Sequence, residues 1–219
     1  MIRVASLIAV ASLAPAQVAT EANRNYENPE GRERMIQALS SPDRAKRLRV
    51  EQLVKNLELK PGDTVADLGT GAGVLLPYLS KQVAGSGVVI AQDIHEDFLA
   101  AARSMAEEEK LENVRFVVGR EKNPKLPVAA VDVALAVDTY HHFNYPGPML
   151  NGIRTSLKPG GRFVIVDYYK ESYRDPPHIR IDKADVIKEV EAGGFVLAQD
   201  IEHVPGAQYM LVFKKKPAK

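Results

Sequence analysis

Cysteine is absent from the 219 residues of this chain, and the net charge at pH 7 is only +1. The absence of cysteine excludes disulfides, thiolate nucleophiles and cysteine metal ligands. Nucleic-acid-binding domains usually carry a basic face, so the balanced charge predicts no nucleic-acid partner. Hydrophobic residues make up 45% of the chain, which is enough for the full core of one domain of ordinary size.

Long hydrophobic runs are also missing. The apolar run at residues 4–13 is too short to cross a membrane. It follows a short basic start at Arg3 and precedes Ala-Pro-Ala at residues 14–16, which has the form of a signal-peptidase cleavage site. This pattern predicts a signal peptide at residues 1–16 and export to the periplasm or cell envelope, with no stable membrane span once the leader is removed.

The alternative is that translation begins at Met35, which would leave the leader unused and keep the protein in the cytoplasm. Mass spectrometry of the native N-terminus separates the two, because export predicts Gln17 as the first residue and the internal start predicts Met35. We further predict an N-terminal extension at residues 17–41 and a single domain at residues 42–219.

The most informative segment is a glycine-rich stretch that follows an apolar run. The run, residues 64–68, includes Asp67 near its end, and Gly69, Gly71 and Gly73 follow at alternate positions. Glycine accepts positive φ and lets a ligand approach the backbone. The helix predicted after the loop points its free N–H groups at the turn. We therefore expect a loop that holds a polar ligand against the main chain.

The glycine spacing separates this loop from two common nucleotide-binding loops. A dinucleotide-binding loop reads G-x-G-x-x-G, whereas this one reads G-x-G-x-G and has Val74 where that pattern needs glycine. The phosphate-binding pattern G-x-x-x-x-G-K-[ST] is absent. A Tyr-x-x-x-Lys catalytic pair is absent as well, so an NAD(P)-dependent reductase is the less favoured alternative.

A second acid ends the next predicted strand, residues 87–93. An acid at this strand tip lies beside the glycine-rich loop in a βαβ unit, where it can accept hydrogen bonds from a ribose diol. Alone, Asp93 could equally be a solvated strand end or the N-cap of the next helix. Together with Asp67 and the three glycines, it favours the ribose role.

Predicted strands and helices alternate along the chain, which is typical of an α/β, doubly wound, mostly parallel sheet with helices on both faces. Basic side chains within the first predicted helix are expected to face solvent. Helices are expected at residues 42–57, 74–83, 96–110, 148–157 and 183–192. Strands are expected at residues 64–68, 87–93, 114–118, 131–137, 163–167, 195–201 and 208–213, the last as an antiparallel edge.

The acid-x-G-x-G-x-G pattern resembles the first motif of the class I S-adenosylmethionine-dependent methyltransferases. Residues 157–165 resemble a turn found in the small-molecule enzymes near the ubiquinone and menaquinone C-methylating group, and residues 137–143 occupy the place of the fourth motif. The resemblance covers roughly residues 36–214. It implies a seven-stranded Rossmann-like sheet with S-adenosyl-L-methionine across the carboxyl ends of the first, second and fourth strands, bound by Asp67, Gly69, Gly71, Gly73, Asp93 and Asp138.

One position departs from the family. Members commonly have an acid soon after the third strand that binds the adenine amino group, but here the segment reads Gly119-Arg120-Glu121-Lys122-Asn123. Glu121 is the candidate for this role, with Asn123 or backbone groups as the alternatives.

Methyl transfer from a sulfonium is an in-line displacement, so the resemblance implies few dedicated catalytic residues. His141 and His142, at the tip of the fourth predicted strand, are the candidates for a base that takes a proton from the acceptor. Because they are adjacent, we expect them to face different ways. The alternative is that both only satisfy backbone groups at a strand end.

The tyrosine-rich loop at residues 167–178 is the candidate acceptor lid, through Tyr168, Tyr169 and His178. The alternative is an ordinary surface connection. Asp138 and Asp167 could supply oxygen ligands to a divalent ion, but the Asp-Asn pair of catechol-type enzymes is missing, so we expect no metal.

The sequence therefore predicts methyl transfer from S-adenosyl-L-methionine to a small, apolar or aromatic acceptor. The alternative from another class is an exported binding protein that keeps this fold without catalysis, because a fold does not fix a function.

Overall fold

The computed structural model describes residues 17–217, built around a seven-stranded sheet in the order β3-β2-β1-β4-β5-β7-β6. Neighbouring strands are parallel except where β7 pairs with β5 and β6. The doubly wound, mostly parallel sheet predicted from the sequence is therefore confirmed. The strands are β1 (Thr64–Leu68), β2 (Val88–Asp93), β3 (Val114–Val118), β4 (Val131–Val137), β5 (Leu157–Tyr168), β6 (Phe195–Val204) and β7 (Gln208–Lys215).

Helices cover both faces of the sheet, and β4 shows why. Side chains alternate along a strand, so Val133 and Leu135 point to one face while Ala134 and Ala136 point to the other. The first pair packs with α4 and α5, and the second with α7 and α8. In the described part of the chain the helices are α1 (Thr20–Asn23), α2 (Pro29–Leu39), α3 (Arg44–Arg47), α4 (Val50–Asn56), α5 (Leu76–Val83), α6 (Glu96–Glu108), α7 (Pro146–Ser156) and α8 (Lys183–Ala192).

The last two strands correct one expectation about the edge. β7 is antiparallel as predicted, but it lies between β5 and β6, so β6 forms the edge. The first six residues of β7 are all buried, because the strand has β5 on one side and β6 on the other. A half-exposed edge strand such as β6 lacks such a run of buried residues.

The helix predicted at residues 42–57 is wrong as a single element. It is interrupted at Arg49, whose φ of 45° is left-handed, and it forms the short helices α3 and α4. The break redirects α3, so that Arg44 points into the protein instead of into solvent.

Two other boundaries move for local reasons. α5 begins at Leu76 instead of residue 74 and carries Pro77 in its first turn. β5 begins at Leu157, six residues earlier than expected, and its pairing with β4 jumps from Val131↔Leu157 to Val133↔Arg162. The Lys-Pro-Gly-Gly segment at 158–161 therefore follows the end of α7, as predicted. It lies within β5, where it causes the shift in pairing with β4.

The N-terminal extension folds back over the carboxyl ends of the strands. The Val18 N–H donates to the Asn144 carbonyl (3.2 Å), and the Asn23 side-chain amide donates to the His142 carbonyl (3.0 Å). The signal peptide predicted at residues 1–16 lies outside the described residues. No helix of residues 17–217 is long and apolar enough to cross a membrane.

Candidate cofactor and acceptor site

A cavity of about 360 Å³ lies at the carboxyl ends of β1, β2 and β4. The strand order reverses between β1 and β4, and open α/β sheets bind ligands at such switch points. The glycine-rich loop, the tips of β2 and β4, the N-terminal extension and residues 173–175 form its walls. Its volume is in the range of small-molecule sites.

The glycine-rich loop has a backbone that only glycine accommodates well. Gly69, Gly71 and Gly73 have φ values of 66°, 54° and 83°. A Cβ on Gly69 would lie 2.4 Å from Cγ2 of Thr139, which is a severe overlap. The loop is therefore held tightly against the tip of β4, with its backbone along the cavity.

Asp67 lies beneath this loop with 2% of its surface exposed. One carboxylate oxygen accepts a hydrogen bond from the Thr70 hydroxyl (2.8 Å). The pKa of Asp67 is raised to about 7, chiefly by burial; the Thr70 hydrogen bond lowers it and the nearby Asp93 carboxylate raises it. Asp67 thus ties β1 to the loop and also lines the cavity.

Asp93, at the tip of β2, is buried but borders the cavity. Its Oδ2 accepts from the Gly71 N–H (3.1 Å), and its Oδ1 accepts from the His95 N–H (3.1 Å). Burial raises its pKa to about 6 in spite of these bonds. A carboxylate has roughly four acceptor positions, so this group keeps acceptor capacity for a ligand.

Asp138 follows β4 in a left-handed conformation, with φ of 53°. Its Oδ2 lies 3.0 Å from the Arg44 guanidinium, and both side chains are largely buried at the cavity wall. The basic run around Arg44 was expected to face solvent, and for Arg44 that expectation is wrong. The ion pair joins α3 to the tip of β4.

Glu121 lines the cavity, and its Oε1 accepts a hydrogen bond from the Asn144 side-chain amide (2.7 Å). Asn123, the alternative adenine contact, is not a wall residue; its side chain accepts from the Lys125 N–H in a local turn. Of these two side chains, only Glu121 is positioned to meet a ligand.

Three histidines converge at one wall of the cavity, and we call His141, His142 and His178 the histidine cluster. The ring centroids of His141 and His142 are 4.1 Å apart, and those rings lie 5.0 and 5.2 Å from that of His178. His142 and His178 line the cavity, whereas His141 lies behind them. The adjacent histidines thus differ in exposure, but both rings lie against His178.

Each of the adjacent histidines is anchored through Nδ1. His141 Nδ1 lies 2.8 Å from Oδ1 of Asp167, and both groups are almost fully buried. His142 Nδ1 lies 3.0 Å from the side-chain oxygen of Asn23. These contacts fix the ring orientations and turn the Nε2 atoms away from their anchors.

Electrostatics differ within the cluster. Burial disfavours charge on His141, but the carboxylate of Asp167 outweighs burial and raises the pKa of the imidazole. Burial, with the charges of its two neighbours, holds the pKa of His142 well below its usual value. Burial and the neighbouring His141 also lower the pKa of His178.

Two of the tyrosines expected to contact the acceptor do not line the cavity. Tyr168 packs against Tyr173 (ring centroids 4.8 Å), and Tyr169 packs edge-on against the buried Tyr209 (5.4 Å). Tyr173 is the aromatic residue of this loop that lines the cavity, and its ring stacks on His178 (5.3 Å, 16°). The loop therefore reaches the cavity about four residues later than expected.

Sequence reasoning missed several wall residues. Asn23, Tyr26 and Met35 come from the extension, to which no role was given. The Tyr26 ring lies edge-on to His142 at 4.8 Å. Thr70 is also a wall residue, and its place inside the glycine motif could have indicated this. The extension carries no motif that would indicate its wall residues.

Comparisons with known proteins agree with this geometry. A family model described as "Methyltransferase domain" matches residues 59–211. A solved S-adenosylmethionine-dependent methyltransferase from Aquifex aeolicus is 30% identical, with a TM-score of 0.77 over 82% of this chain and 96% of that one.

Two curated relatives match over shorter stretches. The uncharacterized methyltransferase YcgJ of Bacillus subtilis is 26% identical over 68% of this chain and 63% of its own length. The tRNA (adenine(58)-N(1))-methyltransferase TrmI of Thermus thermophilus is 33% identical over 52% of this chain and 42% of its own length. The chain thus spans less than two thirds of these curated relatives.

Proposed function

The chain belongs to the methyltransferase-domain family, and from that membership we propose that it transfers a methyl group from S-adenosyl-L-methionine to a small acceptor. The family match and the solved neighbour confirm the enzyme class and the cofactor expected from the sequence. The finer placement near the ubiquinone and menaquinone C-methylating enzymes stays a prediction.

One observation carries the proposal: Asp93 is a buried carboxylate that borders the cavity and is bonded to the glycine-rich loop through Gly71. Burying a carboxylate is costly unless its oxygens are well hydrogen-bonded. A ribose diol offers two hydroxyl donors to such a group. The residues present therefore fit a nucleoside ligand, and they fit it best with Asp93 ionised.

We assign the remaining cofactor contacts by position along the cavity. Gly69, Gly71 and Gly73 present the backbone of the loop, with Asp67 beneath it. We assign Glu121 to the adenine amino group. We assign the Arg44–Asp138 pair to the methionyl part, because its carboxylate needs a positively charged partner and its amino group a negatively charged one. When bound, S-adenosyl-L-methionine supplies an electrophilic methyl carbon on a sulfonium.

The N-terminal extension forms part of the cavity wall, which favours a small acceptor over a nucleic acid. Tyr26, Met35, Phe143 and Met149 give the cavity apolar walls. The relative TrmI is named for a tRNA substrate. In this chain, α1 and the residues before it form hydrogen bonds to Asn144 and His142, so the extension occupies space over the cavity. We propose that an apolar or aromatic molecule binds here.

We place the reactive atom of the acceptor beside His142. Of the two catalytic candidates, His142 lines the cavity and can touch an acceptor, whereas His141 is buried behind it against Asp167. His178 lies across from His142 and is the second imidazole that can meet the acceptor. Tyr173 replaces Tyr168 and Tyr169 as the aromatic contact.

We also propose that the natural protein includes the extension, as export with cleavage before Gln17 predicts. Asn23 and Tyr26 line the cavity, and Arg32 pairs with Asp97 at 2.6 Å. A chain that started at Met35 would lack all three. Mass spectrometry of the native N-terminus tests this: a first residue at Met35 would contradict it.

The test of the cofactor site is a binding titration with S-adenosylhomocysteine. We expect the wild-type protein to bind one equivalent and Asp93→Asn to bind at least about 100-fold more weakly, because an amide cannot replace a charged acceptor for two donors. Asp63→Asn, a carboxylate outside the cavity that accepts from the Lys60 N–H, is the matched control and should bind like wild type. Absence of binding in wild type would favour the exported binding protein, and binding of NAD(P)H alone would favour the reductase.

A further inference from the structure

The histidine cluster has the composition and geometry of a metal site. Its three members each offer a ring nitrogen, and these nitrogens all lie within 4.8 Å of one another. We propose that His141, His142 and His178 bind one divalent transition-metal ion at the acceptor end of the cavity.

The nitrogens lie near one another but at up to 4.8 Å, farther apart than in a metal site. A tetrahedral zinc site with Zn–N bonds of about 2.0–2.1 Å has ligand nitrogens roughly 3.3 Å apart. The cluster therefore needs to contract by at most about 1.5 Å. His178 supplies that freedom, because it ends the short 3₁₀ turn Pro176–His178 on a surface loop, while its partners lie on the turn Tyr140–His142 directly after β4.

A second observation points to a ligand independently of the spacing. Nε2 of His141 is buried and has no hydrogen-bond partner among residues 17–217. A buried polar atom is rarely left unpaired, because each one costs free energy. An ion bound between the three rings would use this nitrogen.

The neighbours of the cluster support the ligand role. Asp167 accepts from Nδ1 of His141, and a carboxylate bonded to the far nitrogen of a ligating imidazole is a common arrangement around metals. Asn23 does the same for Nδ1 of His142 and also donates to the carbonyl of that residue. Both rings thus keep Nε2 for the ion.

A second possible set, Asp138, His141 and Asp167, shares His141 but fits less well. Asp138 is paired with the Arg44 guanidinium, and Asp167 already accepts from His141 and from the Tyr168 N–H. Both carboxylates therefore have partners in the protein. Nε2 of His141, which has no hydrogen-bond partner among the described residues, is therefore assigned to an ion bound by the three histidines.

Ligand chemistry restricts the ion. Imidazole nitrogens suit zinc, iron, cobalt, nickel and copper, whereas magnesium and calcium require oxygen ligands. Three protein ligands leave a fourth position open, and here that position faces the cavity through His142 and His178. An ion there would act as a Lewis acid on a lone-pair atom of the acceptor, so His142 and His178 would then meet the acceptor through the ion and not as free imidazoles. The sequence-based expectation of no metal considered only carboxylate ligands, and this proposal departs from it.

The test is a titration of chelator-stripped protein without an affinity tag, using Co²⁺ as a visible probe and Zn²⁺ as a competitor. We expect one equivalent of Co²⁺ with the intense absorption of a tetrahedral site, displaced by Zn²⁺. His178→Ala should weaken binding by at least about 100-fold, and Asp167→Asn by about 10–100-fold. His95→Ala removes another histidine of the same cavity and should leave metal binding unchanged.

The outcomes separate clearly. Failure of wild type to bind stoichiometrically, or equal binding in His178→Ala, would overturn the proposal, as would an equal loss in His95→Ala. Metal binding is measured without cofactor, so it does not depend on the proposed methyl transfer. A cooperative thermal unfolding transition of metal-free His178→Ala close to that of metal-free wild type shows that the variant is folded.

Discussion

The cavity has two ends that the chain assembles in different ways. Most of the proposed cofactor contacts come from residues 67–93, which form one continuous strand–loop–helix–strand unit, and Arg44, Glu121 and Asp138 add to them. The proposed acceptor end joins wall residues from three separate stretches, residues 20–35, 140–149 and 173–178. Its bond between Asn23 and His142 connects residues 119 positions apart in the chain. Local backbone geometry thus determines the cofactor end, whereas packing between distant segments determines the acceptor end.

The largest effect is expected from a change that breaks the cofactor end alone. Gly69→Ala places a Cβ against Thr139 and forces a non-glycine residue into φ of 66°. We expect loss of measurable S-adenosylhomocysteine binding and a decrease of about 1–3 kcal/mol in the free energy of unfolding. Calorimetric titration and chemical denaturation measure the two quantities.

The matched control is Gly85→Ala, where φ is not positive and a Cβ would meet open space. It should bind like wild type. Adding Thr139→Ala to the Gly69 variant removes the two closest atoms and should restore part of the stability. Full binding by the single variant Gly69→Ala would mean that the loop is not the cofactor cradle.

The next effect is a pH dependence confined to the cofactor end. Asp93 has a raised pKa of about 6, and Asp67 and Asp97 are the neighbouring acids. Free protein holds a proton on Asp93 below this pH, whereas a bound diol favours the carboxylate, so binding releases a proton. Affinity for S-adenosylhomocysteine should therefore fall by up to about tenfold per unit as pH drops below 6, and level off above 7.

Titrations between pH 5 and 8 in one mixed buffer measure this dependence. Asp93→Asn removes the titrating group, so its weaker affinity should vary less around pH 6. Wild-type affinity that rises as the pH is lowered would contradict an ionised Asp93 in the complex.

The contrast between the ends also explains which parts were predictable. Asp67, Gly69, Gly71 and Gly73 lie in one motif whose spacing dictates its own backbone, and Asp93 ends the adjacent parallel strand, so the sequence alone predicts that these residues lie together. Nothing near Asn23 or Tyr26 signals that they reach the tip of β4.

The errors have the same origin. A continuous helix over residues 42–57 predicts Arg44 in solvent, but the break at Arg49 changes the direction of α3. Tyr169 was expected at the acceptor, but β7 inserts beside β5 and supplies Tyr209 as a packing partner. The break at Arg49 is local, but in both cases the contact that replaces the expected one joins segments distant in sequence, Arg44 with Asp138 and Tyr169 with Tyr209.

A smaller effect is expected from a change at the acceptor end. Asn23→Ala removes two contacts to His142, each worth about 0.5–1.5 kcal/mol. We expect kcat/KM for the acceptor to fall by roughly 3–10-fold, with cofactor affinity unchanged. Asn151→Ala, on the outer surface of α7, is the control; an equal loss of cofactor affinity in Asn23→Ala would show that the two ends are not separable.

The smallest effect is expected from the ion pair between α2 and α6. Arg32→Gln removes the contact to Asp97, which is partly exposed and worth about 0–1 kcal/mol. Limited proteolysis should cleave the extension faster in this variant, while global stability stays nearly constant. Unchanged cleavage would mean that other contacts hold the extension in place.

Thermal unfolding of the protein with and without S-adenosyl-L-methionine tests the central claim most directly. Ligand at a hundred times its dissociation constant adds about 2.7 kcal/mol, which is a rise in Tm of about 5–10 °C for a chain of this size. The account predicts this rise with S-adenosyl-L-methionine and with S-adenosylhomocysteine, and its loss in Asp93→Ala. No rise with either ligand, or a rise with NAD(P)H alone, would contradict it.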